Sequence, residues 1–535
     1  MGEKKPKLIF VAGSIMSGLG KGILTASIAK LLQSRGYSII PIKFDGYLNV
    51  DCGTMNPFRH GEVFVLDDGS EVDLDFGTYE RFLNISLNQN NSITGGKLFR
   101  ALLEKERRGD FLGRDVQFIP HLTNEIKERI STVSKETNAD IIIVEIGGTV
   151  GDMENGYFLE AVRQLYNENP ESLFVQLTYV PSISQGEQKT KPTQQANRLI
   201  QSMGIKPDII VCREQEPLKK EAKEKISLFC DVPIEAIFDD PMVDTVYELP
   251  LVLEKQGIYE VISKKLNLMK KEEDLKNWRT LVSRIKNPTK GTLRIGVIGK
   301  YTEVKDAYLS IKEALLHSAA NLGVSIIVDW LESTDFEEKN DYSSLKKLDG
   351  IIVPGGFGKR GIEGKITAIK FARENNIPFL GLCLGMQLMV VEFARNVCSL
   401  EEANSKEFNA NTPHPIICLL PEQHRIIEKG GTMRLGAYDA KLEKGTFTYK
   451  TYNQETISER HRHRYEVNPD YVDKLKEKGL IISGVHTKNN IVEIAEWPNN
   501  YGFGVATQAH IELKSRLENP APLFLSFIKA AMKEK

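Results

Sequence analysis

Gly381-Leu382-Cys383-Leu384-Gly385 places a thiol between two glycines, directly after an apolar run at 379–382 and ahead of a helix-like stretch. Small flanking residues tolerate the strained turn that presents a nucleophile at a helix N-terminus. A buried cysteine in a close-packed turn would have the same pattern, so catalysis needs a base elsewhere. Gln508-Ala509-His510-Ile511-Glu512 ends a later apolar run and offers one. His510 can take the thiol proton, and Glu512 can hold the imidazole in the needed tautomer and orientation. Upstream, Val353-Pro354-Gly355-Gly356-Phe357-Gly358 follows a third apolar run and can turn backbone amides toward a developing oxyanion. Cys383, His510 and Glu512 are thus a candidate triad for acyl transfer.

A second constellation lies near the N-terminus, where an apolar run leads into Gly13-Ser14-Ile15-Met16-Ser17-Gly18-Leu19-Gly20-Lys21-Gly22 and a helix-like stretch at 23–33. Glycines let amides face an anion, the helix N-terminus adds positive potential, and Lys21 can reach terminal phosphates. This is not a strict Walker A loop: Ile15 stands where the first glycine belongs, and Gly22 follows the lysine in place of Ser or Thr. The bland alternative is a tight turn with a solvent-facing lysine. With no hydroxyl after Lys21 to hold magnesium, carboxylates elsewhere must do so, and Asp75 and Glu145 are the candidates. Glu145 follows the apolar run 141–144, which puts it at a strand's carboxyl end, where open parallel sheets bind ligands.

The elements that must carry these residues are short Val- and Ile-rich runs at 8–12, 39–44, 141–146, 174–180 and 209–212, alternating with amphipathic stretches. Runs of this kind, apolar on both faces, predict central strands of a parallel sheet with crossover helices. A Lys- and Glu-rich segment from 268 ends in the turn-forming Asn287-Pro288-Thr289-Lys290-Gly291, which predicts a boundary. A new series follows at 293–299, 326–328, 350–353, 379–382 and 504–508. The expected fold class is α/β with two doubly wound domains.

At 535 residues the chain has room for more than one core. Its 41% hydrophobic and 27% charged residues are near globular averages. A net charge of -2 gives no overall attraction to nucleic acid or an anionic membrane. The charged N-terminal run is followed by too short an apolar stretch for a signal peptide or membrane span. Six cysteines lack the spacing of a zinc site or disulfide scaffold, which points to a reducing, cytoplasmic setting.

These segments together resemble the CTP synthase family over about residues 8–531. The resemblance rests on Ser17-Gly18-Leu19-Gly20-Lys21-Gly22, His60-Gly61-Glu62-Val63-Phe64-Val65, Tyr79-Glu80-Arg81-Phe82, Glu145-Ile146-Gly147-Gly148-Thr149-Val150-Gly151-Asp152, Lys189-Thr190-Lys191-Pro192-Thr193-Gln194 and Glu459-Arg460-His461-Arg462-His463-Arg464-Tyr465. It implies a P-loop-like amidoligase domain related to dethiobiotin synthetase at 1–268, a linker at 269–291 and a class I glutamine amidotransferase domain at 292–535. It implies conversion of UTP to CTP with ATP and magnesium, nitrogen from glutamine or free ammonia, GTP as allosteric activator, CTP as feedback inhibitor, and a homotetramer.

By matching motifs, Gly18, Leu19, Gly20, Lys21, Gly22, Ile23 and Asp75 would bind ATP, with Lys21 and Lys43 acting on its γ-phosphate. Asp75 and Glu145 would bind magnesium. Ser17, Asp152, Met153, Glu154, Lys189, Thr190, Lys191, Pro192, Thr193, Gln194 and Lys225 would form the UTP and CTP site. Gly356, Leu384, Gly385, Met386, Gln387, Glu407 and Arg464 would bind glutamine around the Cys383, His510 and Glu512 triad.

The cluster Arg460 to Arg464 could otherwise be a solvated basic face. Departures from the family pattern are Gly18, Gly46, Cys52 and the ending His510-Ile511-Glu512 in place of His-Pro-Glu, which leaves the placement of Glu512 to the structure. The competing readings are another glutamine-dependent ATP amidoligase, and a nucleotide-binding regulatory or filament-forming homologue.

Overall fold

The computed structural model describes residues 5–14, 16–56, 60–183, 186–300, 305–338, 342–356, 358–419 and 432–533. Ile15 and Phe357, singled out above, lie outside the described residues, as does the start of the charged N-terminal run. The chain forms two units, Met1–Asp51 with Thr78–Val282 and Cys52–Gly77 with Ser283–Lys535.

The first unit is built on seven parallel strands: β1 (Lys7–Ala12), β2 (Ile39–Asp45), β3 (Ser92–Thr94), β4 (Ile141–Ile146), β5 (Ser172–Tyr179), β6 (Ile209–Glu214) and β7 (Ile237–Pro241). Their order is β7-β6-β5-β1-β4-β2-β3. Every residue of β4 is buried, as a strand covered by helices on both faces requires. β1 lies between β4 and β5, so crossovers leave it in both directions and open a crevice at the carboxyl ends. Helix α1 (Lys21–Gln33) begins there, behind Gly18 and Gly20 with φ of 73° and 95°, values that glycine adopts without steric cost. The sequence reading finds five of these strands. It misses β3, whose Ser-Ile-Thr has one apolar residue, and β7, whose Ile-Phe-Asp-Asp-Pro has two apolar residues before a pair of acids and a proline.

In the second unit a sheet of nine strands contains β8 (Thr292–Gly299), β9 (Ser325–Glu332), β10 (Gly350–Val353), β11 (Phe379–Leu382), β12 (Arg434–Leu442), β13 (Thr456–His463), β14 (Ile481–His486), β15 (Val492–Glu496) and β16 (Gly504–Thr507). The order is β9-β8-β10-β11-β16-β15-β14-β12-β13. The five strands expected from the sequence are the parallel ones, and the four after β16 in that order are antiparallel. β13 escapes a hydrophobic search because Thr-Ile-Ser-Glu-Arg-His-Arg-His has one apolar residue, yet Arg460, His461 and His463 are buried. A solvated basic face is therefore not what this run forms.

Residues 52–77 come early in the chain and pack with the second unit. Their hairpin, Phe64–Val65 with Glu71–Val72, is pinned to β13 by Arg460 on Asp67 at 2.6 Å and Arg462 on Glu71 at 2.8 Å. A Cβ on Gly436 of β12 would lie 2.6 Å from the Gly69 nitrogen, so only glycine admits this approach. The remaining helices that matter below are α2 (Asp75–Leu83), α3 (Lys191–Ser202), α4 (Ile362–Glu374) and α5 (Leu384–Asn396). From Leu384 to Ala394 every α5 residue is buried, which marks a core helix and explains its apolar sequence on all sides.

Candidate active site

Cys383 joins β11 to α5 with φ 50° and ψ -101°, a backbone conformation that costs a non-glycine residue energy and is typical of a nucleophile turn. Its N–H donates to the Thr507 carbonyl at 2.8 Å, tying the turn to β16. Both flanking glycines are required by contact. A Cβ on Gly385 would fall 2.0 Å from the Val353 carbonyl oxygen, and one on Gly381 2.8 Å from the Ala506 Cβ. The thiol is buried, 3.8 Å from the Arg462 carbonyl oxygen and 3.5 Å from Gln508 Nε2.

Because β11 and β16 are parallel neighbours with Leu382 opposite Thr507, the turn after one strand meets the histidine after the other. His510 Nδ1 lies 2.7 Å from Glu512 Oε1. A short 3-10 turn, Ile511–Lys514, buries Ile511 and brings Glu512 back under the ring, so isoleucine in place of proline still permits the contact. Burial opposes a charged imidazole, but Glu512 and the facing Cys383 outweigh it and raise His510 well above its ordinary value. The backbone N–H of His510 donates to the Arg460 carbonyl at 2.7 Å.

A cavity of about 450 Å³ opens over this pair, lined by Gly53, Glu62, Gly355, Gly356, Cys383, Arg464 and His510 among others. Of the expected glutamine positions, Gly356 and Arg464 face it. Arg464 Nη2 donates to Thr432 Oγ1 at 3.1 Å. Glu407 Oε1 accepts the Gly358 N–H at 3.2 Å, and burial pushes its carboxyl up. Leu384, Gly385, Met386 and Gln387 make the first turn of α5 and are buried beneath the thiol. The Gln387 amide donates to the Tyr465 carbonyl at 3.0 Å, inside the protein. Sequence reasoning quoted Gln508 and Arg462 within longer segments but gave neither a role, and it passed over Lys365, because a single lysine in a helix carries no pattern that would single it out.

In the first unit, Lys21 Nζ donates to the Gly148 carbonyl at 2.6 Å, and the Val150 N–H donates to Ser14 at 3.1 Å. The loops after β1 and β4 are thus joined at the crevice. Lys43 stands opposite Glu145 in the β2–β4 register and 3.8 Å from Asp45, while the Tyr79 hydroxyl of α2 donates to Glu145 at 2.5 Å. Lys43 and Glu145 are both buried. Asp75, which starts α2 and falls in the second unit, donates its N–H to Asp73 Oδ1 at 2.9 Å.

The residues expected to hold UTP divide. Both carboxylate oxygens of Asp152 accept from Thr149, at 2.6 and 2.7 Å, and Met153 is 91% exposed. Lys189 pairs with Glu187 at 2.7 Å, and Lys225 lies near that same carboxylate. Thr193 and Gln194 turn inward from α3, to Thr178 and Thr190. The sequence reading also passed over Glu214 and Asp240, buried acids at the carboxyl ends of β6 and β7. Burial pushes Glu214 up to about 9 and Asp240 up to about 6, despite Arg213 at 2.8 Å from the latter. An acid closing an apolar run is the signal that found Glu145, and it was available for both.

Residues 7–268 match the family model for the CTP synthase N-terminus, and residues 303–530 match that for class I glutamine amidotransferase. A CTP synthase of Caldanaerobacter subterraneus subsp. tengcongensis is 51% identical over 99% of this chain and 99% of its own. The chain belongs to the CTP synthase family. A CTP synthase of Archaeoglobus fulgidus is 52% identical over 98% of both chains. The solved glutaminase domain of Trypanosoma brucei CTPS, with bound acivicin, is 39% identical over 45% of this chain and 94% of that one, with a TM-score of 0.42. CTP synthase membership carries with it the glutamine-dependent amination of UTP to CTP, a ligase reaction of pyrimidine biosynthesis that consumes ATP. Among the described residues no helix is long and apolar enough to cross a membrane.

Proposed function

We propose that the second unit releases ammonia from glutamine at Cys383, and that the first unit uses it on UTP that ATP has activated. The triad geometry carries this reading: a buried thiol on a strained turn, facing an imidazole whose far nitrogen is 2.7 Å from a carboxylate. Cys383 attacks the glutamine side-chain carbon as a thiolate, and His510 carries the proton that leaves with ammonia. Arg464 and Glu407 hold the charged groups of the amino acid, and the amides near Gly356 face the oxyanion. Water then hydrolyses the thioester.

In the first unit the Gly18 to Ile23 turn cradles the ATP phosphates, with Lys21 and Lys43 offsetting charge as the γ-phosphoryl passes to the uracil 4-oxygen. Phosphate is then a good leaving group for displacement by ammonia. Asp75 and Glu145 offer hard oxygen donors suited to magnesium, which is commonly held by one or two carboxylates together with substrate phosphates. When bound, the metal supplies charge neutralisation on those phosphates. Lys189 pairs with Glu187 just ahead of α3, Lys225 lies near the same carboxylate, and Lys191 starts α3; these lysines take the UTP phosphates, and CTP competes for the same residues. GTP acts as activator of glutamine hydrolysis.

The amidoligase domain spans 1–268, the linker 269–291 and the amidotransferase domain 292–535. A homotetramer is supported by apolar residues on the surface of the first unit, Leu112 and Phe118 among them, and by Leu48 and Leu103, which line a groove of about 660 Å³. The setting is the cytoplasm, consistent with six cysteines that include no disulfide.

The test is CTP formation from UTP, ATP and magnesium, with GTP present and with glutamine or ammonium as donor, in the wild type and Cys383→Ala. The variant should lose the glutamine-driven reaction alone. If it keeps that reaction, Cys383 is not the nucleophile. If the wild type makes CTP with neither donor, the assignment of the first unit is wrong and the regulatory homologue takes its place.

A further inference from the structure

Lys365 on α4 is fully buried, and the hydrogen bond its ammonium makes is to the Pro354 carbonyl at 3.4 Å. Such a group is expensive, since burial disfavours the charged form and one long hydrogen bond does little to offset it. Burial brings Lys365 down to about 7, helped by the charge of Lys300 and opposed by Glu332 and Cys383. A methionine would fill the same volume without a polar atom, so packing alone gives no reason for a lysine here.

The reason lies in what the Pro354 carbonyl belongs to. Residues 354–356 leave β10 and pass beside the triad: a Cβ on Gly355 would fall 2.8 Å from His510 Cε1 and 3.6 Å from Cys383 Cβ. On the other side, a Cβ on Gly356 would lie 3.9 Å from Lys365 Nζ. The loop is therefore a single layer of backbone, with the reacting groups on one face and the ammonium on the other. In a planar trans peptide the carbonyl and the following N–H point in opposite directions. Holding the Pro354 carbonyl on the Lys365 side turns the Gly355 N–H away from it.

We infer that Lys365 is a positioning residue for glutamine hydrolysis, fixing the 354–356 loop from behind so that its amides stay aimed at the oxyanion. This rests on the reading of Cys383 as nucleophile. As the Sγ–carbon bond forms, the carbonyl π pair moves to oxygen. As the intermediate collapses, the pair returns, the carbon–nitrogen bond breaks, and the proton on His510 leaves with ammonia. The loop faces the oxygen while it is negative, and Lys365 Nζ holds it in place from behind through the Pro354 carbonyl.

The test is Lys365→Met in the full chain, read by melting temperature, by kcat and KM for glutamine, by ammonium-driven CTP formation and by alkylation of Cys383 with iodoacetamide. Alkylation is a direct displacement at carbon and forms no oxyanion, so it separates thiol reactivity from loop function. The expected result is an equal or higher melting temperature, a kcat for glutamine lower by about ten- to a hundredfold, and unchanged KM, alkylation and ammonium-driven rates. A variant that melts lower or does not fold would make Lys365 a structural residue and overturn the inference. Equal loss of alkylation and hydrolysis would overturn it by placing the effect on the thiol, and so would an unchanged kcat. Cys383→Ala, run alongside, separates this failure from that of the underlying reading, because retention of glutamine-driven activity there sinks the nucleophile assignment itself.

Discussion

Arg460 binds His510 through its backbone and Asp67 through its side chain: its carbonyl accepts the His510 N–H at 2.7 Å, and its guanidinium reaches Asp67 at 2.6 Å. Arg462 repeats the arrangement two residues on. Its guanidinium holds Glu71 and the Gly53 carbonyl, while its own carbonyl lies 3.8 Å from the Cys383 sulfur. Alternation along a strand normally sends successive side chains to opposite faces, so Arg460 and Arg462 share one. β13 therefore connects the hairpin segment 52–77 to both His510 and Cys383, through main-chain atoms that no side-chain substitution at Arg460 or Arg462 would remove directly.

Asp67→Ala leaves the buried Arg460 guanidinium short of a charged partner. Loss of such a partner costs about 1–3 kcal/mol, and part of that strain should reach His510 through the Arg460 carbonyl. Urea unfolding should show reduced stability of that order, and glutamine-driven turnover should fall more than ammonium-driven turnover. Equal loss of the two would argue against a local path from Asp67 to the triad.

Glu512→Gln removes the largest influence that raises His510, so the imidazole should titrate lower than in the wild type. With the amide unable to stabilise an imidazolium or to select its tautomer, glutamine hydrolysis should fall by roughly two to four orders of magnitude. Histidine NMR titration reads the first effect and a glutaminase assay the second. A large rate loss without the titration shift would mean that Glu512 acts on geometry alone.

At Gly385, alanine would bring a Cβ to 2.0 Å from the Val353 carbonyl oxygen, with backbone on both sides and no flexible side chain to yield. Gly385→Ala should destabilise the second unit by several kcal/mol, in the range of severe core substitutions, and should abolish Cys383 reactivity. Differential scanning calorimetry and iodoacetamide labelling would check both.

His463 is held neutral, brought down to about 3 by burial and by the nearby Arg434. Its ordinary value is 6.5, so between 6.5 and 3 the unfolded chain binds a proton that the folded one does not. Stability from this group is complete above 6.5 and is lost as pH falls through that window, by about 1.4 kcal/mol per unit. His463→Gln should flatten the decline of melting temperature below pH 6.5 relative to the wild type. A decline of the same slope in both proteins would assign the acid sensitivity to other groups.

Much of the fold was legible because the parallel strands are buried on both faces, and burial on both faces leaves an unbroken apolar run. The antiparallel strands were not, because β13 satisfies its buried polar residues with specific partners: His461 meets His463 at 3.1 Å and His463 meets the Tyr465 carbonyl at 2.9 Å. No local property of Arg460-His461-Arg462-His463 reveals those partners. The turns that carry Cys383 and Lys21 were legible for a different reason. Each needs glycines at set positions beside one reactive side chain, and that requirement is local.

By itself, then, the sequence determined two α/β cores, a Gly-flanked thiol, a Gly-rich loop with Lys21, and a carboxylate two residues after His510, whose contact with the ring it left to the structure. Only the tertiary structure decided that segment 52–77 packs beside β13, that the 354–356 loop runs between Lys365 and Cys383, and that Gln387 faces inward. The first group follows from backbone geometry and hydrophobic periodicity, which act over a few residues. The second depends on which strands become neighbours, and side chains hundreds of residues apart meet only after that choice is made.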